Sequence, residues 1–191
     1  MCGVRTVQTE REQKTISRKL LLTAVLVFVA LVLFDQNTKM LAVKHLKGQE
    51  DIILIPGVLQ FSYVQNAGAA FGSMKNMQFL LVLLPVIVIC GIFYVLWKMP
   101  RTKRHLPMFV ALLVLSAGAL GNLIDRVLHS YVVDFIYFSL IDFPVFNVAD
   151  IYVTCSAFAL ALLMIFYYKE EDTAFLSRNP AGAKEEDSGD V

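Results

Sequence analysis

FLLVLLPVIVICGIFYVLW, residues Phe79–Trp97, carries nineteen residues without a single charge. A bilayer core about 30 Å thick needs about 20 apolar residues of helix, so this run has the length of a membrane span. Three further stretches behave alike. One starts at Leu20, reaches Phe34 and continues past a polar DQNTK break to about Val43; the others are Pro107 to Ile124 and Ile151 to Tyr168. The whole chain is 57% hydrophobic and only 17% charged, too apolar for a soluble domain of 191 residues. A basic segment before Leu20 resembles the start of a signal peptide. However, no small-residue cleavage site follows, and the charged DQNTK argues for a retained span. The expected fold is therefore an all-α polytopic membrane protein with four transmembrane helices.

Four crossings put both termini on one side, and the basic residues sort accordingly. Arg5, Arg11, Lys14, Arg18 and Lys19, the loop residues Lys98, Arg101, Lys103 and Arg104, and Lys169, Arg178 and Lys184 share the side of the termini. Only Lys39, Lys44, Lys47, Lys75 and Arg126 fall on the other. The positive-inside rule then makes both termini cytoplasmic. Residues 1–19 form a basic N-terminal tail, 20–168 the membrane domain, and 169–191 a polar tail expected to be disordered. Asp51 to Phe71, DIILIPGVLQFSYVQNAGAAF, is rich in β-branched and aromatic residues. It predicts short strands broken at Pro56-Gly57, forming a small β-sheet on the extracytoplasmic side. A net charge of +1 gives no reason to expect nucleic acid. Cys2, Cys90 and Cys155 show no paired spacing; the latter two, inside apolar runs, read as small core residues.

Within Val132–Tyr152, VVDFIYFSLIDFPVFNVADIY, the aspartates are the anomaly. In this topology Asp35, Asp125, Asp134 and Asp150 converge near the outer membrane surface, where span one is expected to end near Asp35 and span three at Asp125. A mid-membrane Asp costs about 2.5–3.5 kcal/mol on insertion scales, and less toward the interface. Position lowers the cost without explaining the cluster. Two carboxylates about 4 Å apart repel by roughly 4 kcal/mol at an effective dielectric of 20. One is then held protonated while its partner stays ionised, which is the equipment of a general acid and a general base. Asp134 and Asp150 are the candidates. Asp150 opens span four, where a helix N-terminus favours a carboxylate by about 0.3–1 kcal/mol, which suits it to be the base.

Each also has a plainer reading: Asp150 as an N-cap, Asp134 as a loop acid, Asp142 as a turn residue before Pro144. Asp35 and Lys39 have the spacing of a helical ion pair, Asn122 lies one turn before Arg126, and Asn147 precedes Asp150 by three. His45, His105 and His129 lack ligand spacing, so no metal and no cofactor is expected. A proton-coupled transporter is a rival reading, but the acids gather at one surface with none at the midplane. A non-enzymatic assembly protein and a presenilin-like protease, whose GxGD is missing, are weaker rivals.

Read in order, DQNTK (35–39), QNAGAAFG (65–72), GALGNLIDR (118–126), VVDFI (132–136) and FPVFNVAD (143–150) closely resemble the lipoprotein signal peptidases of bacteria, the signal peptidase II family. The resemblance spans residues 20 to about 168. It implies an aspartyl endopeptidase of the bacterial cytoplasmic membrane, working at the extracytoplasmic face. Its substrates are prolipoproteins, cut immediately before a cysteine that already carries diacylglycerol. The resemblance implies a catalytic dyad at Asp134 and Asp150. It implies substrate contacts at Asn66 and Arg126, and hydrogen-bonding neighbours of the dyad at Asn122 and Asn147. Room for substrate is implied at Gly68, Ala69 and Ala70, and support from Asp35, Lys39 and Asp125. Ser130 is a mild departure from the family, lying near where many members have glycine before VVDFI. Partners implied are the lipidated substrate and membrane lipid; a monomer suffices.

Overall fold

The computed structural model describes residues 18–68 and 75–177. The tails outside these limits lie outside the described residues, as do Ala69 and Ala70. In chain order come α1 (Arg18–Leu46), β1 (Ile52–Ile55), β2 (Leu59–Asn66), α2 (Lys75–Lys98) and α3 (Leu106–His129). Then follow β3 (Val132–Tyr137), α4 (Val148–Leu162), a π-helical turn (Leu163–Tyr167) and α5 (Glu170–Ser177). The four apolar helices α1 to α4, the last with its π turn, are long and apolar enough to cross a membrane. The expected four-span architecture with a small sheet is present.

Burial is inverted relative to a soluble protein. Leu26, Phe79, Trp97 and Phe166 face outward, while Asp35, Lys39, Asp125 and Asn147 are buried. That is the arrangement lipid demands, because apolar side chains gain nothing by hiding from hydrocarbon whereas charges do. Cys90 and Cys155 are free, but both are exposed on the helix surfaces rather than packed in a core.

The ends of two spans differ from the sequence expectation. Asp35 and Lys39 lie inside α1, which continues to Leu46. At 1.5 Å per residue Asp35 sits about 16 Å below that end. Asp125 is likewise a turn short of the end of α3, which runs to His129. An apolar run ends where its first charge appears, but a helix continues wherever that charge finds a partner.

The three strands form one antiparallel sheet in the order β1-β2-β3. The first two were expected from the sequence; β3 was not, and it is the central piece of the site. It lies between β2 and a bridge to Phe146, whose N–H donates to the Ile136 carbonyl at 3.0 Å. Residues Val132 to Phe135 are buried. The sheet packs on the end of α1 through Ala42, Leu46, Val133 and Phe135, with Phe61 edge-on to Phe135.

A second core at the other end joins Ile92, Met99, Met108, Leu112 and Tyr168. There the tail departs from expectation: it begins with α5, docked by an Arg104–Asp172 ion pair of 3.0 Å. His105 Nε2 lies 2.9 Å from the Asp172 carbonyl, and Arg104 stacks over Tyr167. Three acids in its first turn, Glu170, Glu171 and Asp172, complement the helix N-terminus.

Helix α3 packs closely on both α4 and α1, and the reason is glycine. A Cβ on Gly118 would stand 2.6 Å from the Ala149 carbonyl oxygen, and one on Gly121 would stand 2.5 Å from Asp35 Oδ2. Gly118→Ala must push α4 away from α3, with an expected loss of about 1–3 kcal/mol. A denaturation midpoint in detergent reads it directly.

Candidate active site

The site is built from three layers at the sheet end of the bundle. The deepest is a buried charge cluster. Lys39 Nζ is 2.9 Å from Asp35 Oδ2 and 3.1 Å from Asp125 Oδ2, and all three side chains are buried. Its third donor reaches Asn122 Oδ1 at 2.9 Å, so the ammonium is fully used. The carboxylates reach further still. Asp35 Oδ1 accepts from the Ala149 N–H at 2.9 Å, and Asp125 Oδ2 accepts from the Val133 N–H at 3.1 Å. One cluster inside α1 and α3 thereby fixes the start of α4 and the start of β3. Gln36, which sequence reasoning passed over, spans Asp35 Oδ2, Asp125 Oδ1 and the Gly121 carbonyl at 3.1–3.2 Å.

The middle layer is a pair of asparagines. Asn147, not Asp150, is the N-cap of α4: its Oδ1 accepts from the Asp150 N–H at 3.0 Å. Asp150 answers at the third position of the helix, its Oδ2 accepting from the Asn147 N–H at 3.1 Å, which closes a capping box. The Nδ2 of Asn147 then has two hydrogens for other work. One goes to Asp134 Oδ1 at 2.6 Å and one to Asn122 Oδ1 at 3.1 Å. Because Asn122 Oδ1 is occupied by Lys39 and Asn147, its amide nitrogen must point the other way. It donates to Asp150 Oδ1 at 2.8 Å.

The top layer holds the two carboxylates. Asp134 pairs in register with Val64 across β2 and β3. Asn66, two residues on and on the same face, is its diagonal neighbour. Asn66 Nδ2 donates to Asp134 Oδ2 at 2.8 Å, and the Gly68 N–H fixes the other end of that amide at 3.0 Å. Gly68 has φ +80°, and a Cβ there would lie 2.5 Å from Leu81, so the turn requires glycine. Asp134 is 2% exposed, whereas Asp150 is partly exposed. Burial is the main force on Asp134 and pushes its carboxyl up to about 6, with the Asp150 charge adding and the two asparagine donors opposing. The two acids therefore sit in unlike environments, joined through Asn147.

Arg126 is half-buried on the last turn of α3, within electrostatic reach of Asp150, Asp134 and Asp125. Its guanidinium makes no hydrogen bond or ion pair among the described residues, while its backbone carbonyl accepts from the Ser130 N–H at 3.0 Å. Ser130 caps α3 in the left-handed region at φ 67°. Glycine takes that conformation without cost, so a serine there carries a small backbone strain. Asp142 sits apart at a left-handed turn, held by the Tyr137 hydroxyl at 2.5 Å.

The family model for signal peptidase (SPase) II matches residues 27–166. The chain belongs to the signal peptidase II family. Among its relatives, the lipoprotein signal peptidase of Clostridium tetani is 37% identical over 77% of this chain and 93% of its own. That of Streptococcus pyogenes serotype M1 is 39% identical over 78% and 94%. Two bacterial membrane enzymes solved by the in meso method share the fold. One has a TM-score of 0.72 at 32% identity, covering 82% of this chain and 99% of that one. The other has a TM-score of 0.67 at 31% identity, covering 88% and 94%. In this signal peptidase II family member, the ten sequence-predicted site residues among those described all fall at the same end of the bundle. Nine of them are tied into the network just described, and Arg126 stands beside it.

Proposed function

We propose that this protein cleaves signal peptides from diacylglyceryl-modified prolipoproteins, immediately before the lipidated cysteine, with Asp134 and Asp150 activating water. The observation that carries the reading is one asparagine holding two carboxylates of unlike burial at the sheet end of a lipid-facing bundle. Family membership, and relatives that are lipoprotein signal peptidases over most of the chain, support the substrate class.

In this mechanism the partly exposed Asp150 is the base and the buried Asp134 is the acid. Asp150 takes a proton from water as the water oxygen attacks the scissile carbonyl carbon. Asp134 gives its proton to the carbonyl oxygen, producing a neutral gem-diol. On collapse the proton held by Asp150 passes to the departing nitrogen of the lipidated cysteine, and Asp134 recovers its own from the diol. Asp134 can be protonated without losing its asparagines, because each carboxyl oxygen retains a second lone pair. Asn66 and the unpaired Arg126 guanidinium face the substrate; Asn122, Asn147, Asp35, Lys39 and Asp125 hold the pair in place. The basic residues on the termini side put the tails in the cytoplasm and the dyad at the extracytoplasmic face of the bacterial membrane. A single chain supplies both carboxylates, so a monomer is sufficient.

The test is purified protein in detergent with a diacylglyceryl prolipoprotein, read by gel mobility. The modified precursor should be shortened, the unmodified precursor should not, and EDTA should change neither result. Activity removed by EDTA and restored by a divalent ion would contradict a mechanism run by carboxylates alone.

The pH dependence follows from Asp134. The acid must carry its proton, so kcat/KM should fall as pH rises through an apparent pKa near 6 belonging to the pair. Asn66 donates to the ionised form and so holds that value down. Asn66→Ala should move the alkaline limb to higher pH, and a limb that moves lower or stays would remove Asn66 from the site.

A further inference from the structure

The end of the bundle away from the carboxylates holds a cavity of about 290 Å³ between α1, α2 and α3. Its walls are apolar: Ala24 and Val25 from α1, Phe93 and Trp97 from α2, and Leu113 from α3. The charged residue on its lining is Arg101, in the connection after α2. Arg101 is exposed and has no ion-pair or hydrogen-bond partner among the described residues. By contrast, the neighbouring Arg104 is already taken by Asp172 and the Tyr167 carbonyl. Lys19, Lys98 and Lys103 surround the same end of the bundle, and Trp97 is 78% exposed at the mouth. An apolar slot opening to lipid, an unpaired guanidinium at its rim and an amphipathic indole at headgroup depth match one kind of ligand.

We infer that this cleft is a binding site for an anionic diacyl phospholipid of the leaflet on the basic side. One acyl chain lies against Phe93, Trp97 and Leu113, and Arg101 pairs with the phosphate. The charge is complementary, and the partner differs from the substrate lipid, which approaches the opposite end. The site rests on the cavity and its rim, independently of the catalytic reading.

Trp97 is the sole tryptophan of the chain and stands in the wall of the cleft, so it reports occupancy by itself. The full chain is reconstituted in phosphatidylcholine vesicles containing either brominated phosphatidylglycerol or brominated phosphatidylcholine at equal mole fraction. Quenching of Trp97 should favour the brominated phosphatidylglycerol about fivefold, the change one arginine near an anionic surface yields. Arg101→Gln should bring the ratio to about one, while Lys98→Gln, outside the cleft lining, should leave it nearly intact. Equal quenching by both lipids in the wild type would reduce the cleft to an ordinary lipid-facing surface. A preference that survives Arg101→Gln, or that falls equally with Lys98→Gln, would mean diffuse attraction to the basic face and would overturn the site.

Discussion

Asp134→Asn is expected to cost about 10²–10⁴-fold in turnover, the range a positioned general acid or base contributes, and to leave a folded protein. Burial makes the ionised Asp134 costly: its carboxyl is raised to about 6, above the 3.8 of an ordinary aspartate. The stability it contributes is therefore greatest at low pH and declines as pH rises toward and through 6. At pH 7 an uncharged asparagine removes that burden. Against this, its amide nitrogen would face Asn66 or Asn147, both of whose oxygens are already engaged, at a cost of about 1–3 kcal/mol. These opposing effects leave the denaturation midpoint near that of the wild type. Asp150→Asn should lose activity to the same degree. Because the two act in one step, Asp150 on the water and Asp134 on the carbonyl oxygen it attacks, the double variant should be little worse than either single one. Additive losses would mean that the residues serve separate steps.

The second large effect concerns Lys39. Asp35 and Asp125 are both buried, and Lys39 is the cation between them. Lys39→Met removes the counter-charge from two carboxylates at once. Breaking a buried pair in this way costs about 3–5 kcal/mol. Asp35→Asn should cost much less, because it leaves Lys39 and Asp125 as a balanced pair. Comparing the two denaturation midpoints in detergent separates a charge effect from a packing effect. If Lys39→Met were as mild as Asp35→Asn, the cluster would not be what holds α1, α3, α4 and β3 together. Lys39→Met should also lower kcat in whatever protein still folds, since Asn122 loses one of the two donors that aim its amide at Asp150.

The spans were legible because lipid imposes a length and forbids charge, and Phe79–Trp97 meets both conditions without help from tertiary structure. Asp134 and Asp150 stood out as candidates for the converse reason: an acid beside lipid needs an explanation, and few are available. The strand carrying Asp134 was not legible. Strand pattern rests on alternation, and Val132 to Phe135 is buried throughout, so VVDFIY has no polar face to mark it. Gln36 escaped because an uncharged amide raises no alarm, and its partners on α3 exist only once Gly121 lets the helices approach. The Asn147-x-x-Asp150 spacing did carry the capping box, but taking Asp150 as the N-cap hid which residue caps and which answers. The helix at Glu170–Ser177 was concealed by composition, since its docking depends on Arg104 and His105, far away in sequence.

The most direct test of the central claim is the mass of the product. A diacylglyceryl prolipoprotein is incubated with the wild type, Asp134→Asn and Asp150→Asn in parallel, each checked for folding. The expected result is a wild-type product that begins at the lipidated cysteine, with intact precursor from both variants. The same product from either variant would contradict the claim that Asp134 and Asp150 together activate the water.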